Sequence, residues 1–380
     1  MKFHVEKATL PGAVPTVAWA IVDELFRLHP EASKYLESLR GRGCSVNTVR
    51  NYACRLALYL TWCDERGLGW PDPGFENLLR FRDWLVSTPL PPRGKKPPAR
   101  PRFRKDSSAD AVLVTVTEFL RFGVGRNWVS AKVAESLSQP RHLRFLPTDF
   151  ETGEGGRFRQ VQTRTLRFTA DEPGVECFTP EQVQLMIQLA RNARDRFMIV
   201  LMRATGMRIG ETLGLRREDI HLLVDSRMLG CHVRGPHVHV RRRRDNVNGA
   251  LAKSHRSRVI PVTDEIAEHY RDYQWERDRV CEAVESDMVF VNLYRAPLGR
   301  PMGYPNAKQM FDRLAKWAEI IARPHMLRHT AATEWVAEGV PHDVVQALLG
   351  QVSPSSLKPY LHASDKRKRE AVERVAAVTR

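Results

Sequence analysis

The stretch Pro324-His325-Met326-Leu327-Arg328-His329-Thr330 decides how the rest of the chain is read. His325 and Arg328 stand three residues apart, so on a helix they share one face. His325 and His329 stand four apart, a spacing that also suits a pair of metal ligands. The segment lacks the glutamate of the helical zinc-protease motif, and no third ligand is evident nearby. A face carrying His, Arg and a nearby Thr is better matched to a phosphate.

Three other segments carry related chemistry. In Ala204-Thr205-Gly206-Met207-Arg208-Ile209-Gly210-Glu211, Arg208 follows a helix-ending glycine and precedes a second helix start. A guanidinium aimed by such a turn presents a fixed fork to a phosphate. The bland reading is a surface ion pair with Glu211. In Lys253-Ser254-His255-Arg256-Ser257-Arg258-Val259-Ile260-Pro261, the lysine falls near the tip of a predicted β-hairpin, after the run Arg241 to Arg244. In Leu348-Leu349-Gly350-Gln351 through Ser353-Pro354-Ser355-Ser356-Leu357-Lys358-Pro359-Tyr360, the proline disfavours helix at Lys358. Tyr360 is therefore expected on a short interrupted helix or a mobile segment rather than in a rigid core.

Charge points the same way. The 380 residues hold 60 Lys and Arg against 44 Asp and Glu, a net +16. The excess is spread over both halves, +10 over residues 1–170 and +6 over 171–380, so the leading partner is a polyanion such as nucleic acid. With 42% apolar residues the chain is not wholly disordered. No apolar run reaches the length of a membrane span and the N-terminus lacks a secretory core; the expected setting is the bacterial cytoplasm, in association with the nucleoid. The six cysteines form no Cys-x-x-Cys pair, which suggests neither a zinc site nor a redox motif. No metal or cofactor is expected.

Helical periodicity is read at 17–39, 47–67, 74–87 and 107–123, with a Pro-rich basic loop from Pro89 to Asp106. Residues 1–138 are thus expected to form a helical DNA-binding domain, 139–175 a linker, and 176–380 a second domain with a C-terminal tail helix over 365–380. In that second domain helices are expected from Thr179-Pro180, over 194–205, and over 264–285, 306–322, 326–338 and 342–349. Strands at 231–240 and 255–263 predict a small antiparallel sheet. The fold class is mainly α with a small antiparallel β-sheet.

Taken in order, Arg208, Lys253 45 residues on, His325 72 further, Arg328, and Tyr360 32 beyond that resemble the tyrosine recombinase, or phage integrase, family. The resemblance rests on the Ala-Thr-Gly-x-Arg-x-x-Glu box, the hairpin lysine with Arg258 and Pro261, His325-x-x-Arg328-His329, and Leu349-Gly350-Gln351 nine residues before Tyr360. It covers about 176–365. The N-terminal helices, with Ser45-x-Asn47-Thr48-Val49-x-x-Tyr52, are similar to the family's core-binding domain with lower specificity. Gln351 stands where the family has His or Trp; its amide donates a hydrogen bond but carries no charge.

The resemblance implies a two-domain clamp on double-stranded DNA that cuts and rejoins strands at specific sites, as an integrase or transposase. Tyr360 is then the nucleophile, Arg208 and Arg328 clamp the phosphate, and Lys253 is the general acid. His325 assists proton transfer, Gln351 contacts the phosphate and Glu211 orients its neighbours. The resemblance also implies a tetrameric synapse of two dimers, with room for accessory recombinases. The rival readings are a tyrosine-class topoisomerase and a non-catalytic DNA-binding relative.

Overall fold

The computed structural model describes residues 2–10, 16–92, 100–142, 160–168, 175–243, 245–252, 254, 257–351, 357 and 360. Residues 93–99 of the basic loop, Lys253 and the tail 365–380 lie outside the described residues. The chain divides into two compact units, Met1–Glu172 and Pro173–Arg380.

The first unit opens with a hairpin, β1 (His4–Leu10) and β2 (Thr16–Val22), paired antiparallel from His4↔Val22 to Leu10↔Thr16. The helix expected over 17–39 therefore starts late. Val17, Trp19, Ile21 and Val22 are β-branched or aromatic, which suits a strand. Pro30 would break a helix interior but fits its first turn. It opens α1 (Pro30–Gly41), where the His29 ring accepts the Ala32 amide at 3.4 Å. Helices α2 (Val46–Asp64), α3 (Phe75–Ser87), α4 (Asp106–Val124) and α5 (Ala131–Ser136) follow. Ser45 caps α2 by accepting the Thr48 amide at 3.1 Å. Tyr35, Tyr59, Trp62, Phe81 and Phe119 fill an aromatic core.

Residues 139–175 lack helical periodicity because they contribute a ribbon. Strand β3 (Ser138–His142) pairs with β4 (Gln160–Arg164), and Leu166 is buried in the first unit's core. Arg164 grips Asp110 of α4 with both Nη atoms, at 3.2 and 2.9 Å.

The second unit begins with α6 (Pro180–Leu189), closed by a reciprocal box between Thr179 and Gln182. Next come α7 (Ala193–Thr205) and the single turn α8 (Ile209–Thr212). A three-stranded antiparallel sheet has the order β5 (Ile220–His221), β6 (His237–Val240), β7 (Arg258–Pro261). Strand β6 is shorter than the expected 231–240, because Gly235-Pro236 interrupts the approach. Helices α9 (Asp264–Arg277) and α10 (Cys281–Val284) replace the single helix expected over 264–285. Then come α11 (Tyr304–Ala318), α12 (Pro324–Ala337) and α13 (His342–Leu349).

Phe197, Tyr273 and Phe290 stack at this unit's centre, with ring centroids 5.5–5.9 Å apart. A smaller cluster of Ala332, Val336, Val345, Leu349 and Leu357 seats the Tyr360 ring, which is only 6% exposed. The ring thus packs despite its Ser/Pro-rich surroundings, because α12 and α13 supply the apolar walls. No helix among the described residues is long and apolar enough to cross a membrane.

Candidate active site

Glu211 is the hub, at 3% exposure. Helix α7 ends at Gly206 in the left-handed conformation (φ 60°), where a Cβ would come within 3.0 Å of Leu349 and 3.1 Å of Trp335. The turn that follows makes Arg208 the cap of α8. Its amide donates to Glu211 Oε2 at 2.9 Å and its Nη1 to Oε1 at 3.2 Å. The Arg208–Glu211 ion pair foreseen on the surface is thus present, but its carboxylate is buried.

Arg258, at the start of β7, reaches the same carboxylate. Nη2 donates to Glu211 Oε2 at 2.8 Å, and Nε donates to the Leu348 carbonyl at 2.8 Å. This second bond ties the sheet to the end of α13. Gly350 makes it feasible: φ is 63°, and a Cβ there would stand 2.7 Å from Arg258 Nη1.

Helix α12 brings the third arginine. Arg328 is 1% exposed; Nη1 donates to the Gly206 carbonyl and Nη2 to the Leu349 carbonyl, each at 2.8 Å. On the next residue of the helix, His329, Nδ1 lies 2.7 Å from the Tyr360 hydroxyl. His325 sits exposed at the edge, its ring 4.4 Å from that of His329 in a T-shaped contact. The His325–His329 spacing thus serves ring packing and a contact to tyrosine.

Among the described residues, three arginines against one carboxylate leave an excess of two positive charges around a buried carboxylate. The titrating groups register this field. Burial lowers the Arg328 pKa to about 10, and repulsion from Arg208 adds to the effect. Burial pushes Glu211 up, but its hydrogen bonds to Arg258 and the charge of that arginine outweigh it and hold the carboxyl below its usual range. Burial raises the Tyr360 phenol, while the charges of Arg328 and Arg208 pull against it. His329 is lowered by burial and then by Arg328, which keeps the ring neutral at pH 7. The arrangement is built to hold an anion beside a tyrosine hydroxyl.

Of the residues singled out from the sequence, Arg208, Arg328 and Tyr360 share this field, with His325 at its edge. Gln351 follows Gly350, its main-chain N–H donating to the Gln346 main-chain carbonyl at 3.0 Å. Its Oε1 is buried without a hydrogen-bond partner. Sequence reasoning did not name Arg258 or His329 among the site residues. Both stood inside the motifs quoted, one five residues after Lys253 and the other next to Arg328, and only the fold shows what they touch.

Comparison with known proteins bears on this arrangement. Residues 176–367 match the Phage integrase family. Over 360 residues the chain is 28% identical to Transposase A from transposon Tn554 of Staphylococcus aureus, covering 92% of each protein. It is 24% identical over 322 residues to tyrosine recombinase XerD of Corynebacterium glutamicum, covering 84% of this chain and 89% of that one. Among solved structures, the Tn1549 transposon integrase in complex with transposon right end DNA superposes with a TM-score of 0.58 at 18% identity. That match covers 91% of this chain and 99% of the other. A lambda integrase dimer bound to a core site gives 0.57 at 15% identity, covering 89% and 96%.

Proposed function

The chain belongs to the phage integrase family, and from that premise we propose that it is a tyrosine-type site-specific recombinase that cuts and rejoins double-stranded DNA to move a mobile element. The match to a transposon-encoded transposase along 92% of both chains favours transposition as the pathway. The observation that carries the chemistry is the Tyr360 hydroxyl, 2.7 Å from His329 Nδ1 and within the field of Arg328 and Arg208.

A phosphodiester repels anionic nucleophiles, so its transition state needs fixed positive charge. Arg208 and Arg328 hold the non-bridging oxygens, and Glu211 with Arg258 keeps Arg208 aimed. Neutral His329 takes the proton of the Tyr360 phenol as the oxygen attacks phosphorus, and returns it when the tyrosine is freed. The products are a 3′-phosphotyrosyl bond and a 5′-oxygen that Lys253 protonates. His325 assists proton transfer from the edge of the site, and the Gln351 amide contacts the phosphate. The 5′-hydroxyl of a partner strand then attacks the phosphotyrosine and frees the tyrosine. Bond energy is retained, so no nucleotide is consumed. Two chains occupy each site and four form the synapse, in the bacterial cytoplasm on the nucleoid.

A nicked substrate that loses its 5′-hydroxyl fragment after cleavage traps the intermediate. The expected result is a covalent adduct mapped to Tyr360 and lost in Tyr360→Phe, with specific DNA binding kept. An adduct that persists in the phenylalanine variant moves the nucleophile elsewhere. Recombinant product from two sites, rather than relaxation of one circle, identifies strand exchange.

A further inference from the structure

We propose that the sheet of the second unit carries a structural zinc site formed by His221, Cys231, His237 and His239. One potential ligand atom from each lies within 4.8 Å of every other. Nothing in the recombination chemistry calls on these residues, so the inference stands apart from the proposed function.

The donor set is what four-coordinate zinc takes, imidazoles and a thiolate with no position left for water. Cys231 Sγ lies 3.3 Å from His237 Nε2 and 3.4 Å from His239 Nε2, and those two nitrogens are 3.1 Å apart. Zinc bonds of about 2.0–2.1 Å to nitrogen and 2.3 Å to sulfur place tetrahedral ligand atoms roughly 3.3–3.6 Å from each other. The three measured separations fall close to those edges.

The second ring nitrogens are fixed as ligating histidines require. His237 Nδ1 faces the Gly235 carbonyl at 2.6 Å, and His221 Nε2 faces the Glu218 carbonyl at 3.0 Å. Each carbonyl can only accept, so each of those nitrogens carries the proton. The free lone pairs are then on His237 Nε2, within the cluster, and on His221 Nδ1, which is buried and has no hydrogen-bond partner. An unpartnered buried acceptor in a cluster of four ligand-type side chains is what a cation would satisfy. The three rings pack with centroids 4.7–4.9 Å apart.

The topology gives the metal something to do. His221 ends β5, and His237 and His239 alternate on one face of β6. Cys231 comes from the 15-residue connection between these strands, which leaves Val224, Met228 and Leu229 more than half exposed. A loop with so little core of its own is held by a ligand that closes it. His239 pairs with Val259 and Val240 with Arg258, so the metal would brace the strand beside the one carrying Arg258. Binding takes the proton from the Cys231 thiol and releases it to solvent.

The full chain, stripped with chelator under reducing conditions, is titrated with Co²⁺. The expected result is one Co²⁺ per chain, with the visible bands of tetrahedral cobalt and a near-ultraviolet thiolate band, all bleached by Zn²⁺. Cys231→Ser should abolish the thiolate band, and His239→Asn should weaken binding by more than the roughly 100-fold that loss of an outer-sphere partner costs. Alkylation of the unmutated chain tests the same point without risk to folding. Zn²⁺ should block labelling of Cys231, while Cys54 and Cys281, both exposed, label as before. Absence of stoichiometric Co²⁺ binding, a thiolate band that survives Cys231→Ser, or Cys231 labelling indifferent to Zn²⁺ would each overturn the site and leave a hydrogen-bonded histidine cluster.

Discussion

Arg277 and Arg328 lie in the same unit, are each no more than 1% exposed, and are both held by main-chain carbonyls. Arg277, at the end of α9, bonds the carbonyls of Met288, Val289, Ala283 and Ser286 at 2.5–3.0 Å, and its Nε is buried without a partner. Four of its five N–H groups are thus committed, and its charge is dissolved in peptide dipoles. Arg328 bonds only two carbonyls, which leaves three of its five N–H groups without a hydrogen bond among the described residues. Its neighbours are a second guanidinium and a tyrosine rather than further carbonyls. Burial alone does not separate a nearly saturated arginine from one with donors to spare; the number of donors already committed does.

The contrast can be broken most directly by exchanging each arginine for lysine. Arg328→Lys should slow DNA cleavage by roughly 10²–10³ with binding little changed, because the planar fork and not the charge is lost. Arg277→Lys should leave cleavage per folded molecule intact and lower stability by roughly 3 kcal/mol or more, since it orphans buried carbonyls. Suicide-substrate kinetics beside thermal melting read both. Equal losses in both assays for both variants would erase the distinction.

Glu211 sharpens the comparison through pH. Its folded-state pKa is depressed, so it contributes stability above its unfolded value of about 4.3 that is lost as pH falls through the folded value. Glu211→Gln should therefore melt lower than the parent at pH 7, and the gap should close below about pH 4. A constant gap across that range would assign the effect to packing. The smallest expected change is at Gln351. Gln351→His should raise cleavage a few-fold, mainly below the ordinary histidine pKa of about 6.5, where the ring adds charge. A pH-independent rate would mean that this position does not meet the phosphate.

Much of this was legible from residue order. Arg208, His325, Arg328 and Tyr360 stand at spacings that name a family, and Thr179-Pro180 marks a helix start through capping chemistry that acts over three residues. What escaped depends on partners far along the chain. Whether Val17 to Val22 is strand or helix is settled by β1, which supplies the hydrogen bonds that a helix would have made internally. Arg258 was visible as a motif member, but its role follows from Glu211, 47 residues earlier, and the Leu348 carbonyl, 90 later. The histidine and cysteine cluster was hidden because its members are spaced ten, six and two apart. No short motif encodes that pattern; a sheet assembles it. The alternation His237-Val238-His239 was the one local sign that two imidazoles share a face.

The seating of Tyr360 among Val345, Leu349 and Leu357 has a consequence for the fate of a broken chromosome. Under the proposed chemistry, the cut end is never loose. It hangs from a tyrosine whose ring is lodged against hydrocarbon, which fixes where the phosphorus sits and limits the paths by which a stray water could reach it. Hydrolysis would leave a permanent lesion in the host's DNA, whereas a sugar hydroxyl delivered by a paired strand seals it. An apolar wall that looks like ordinary packing thus favours repair over damage, and a variant that opened it would be expected to leave nicks where the parent leaves none.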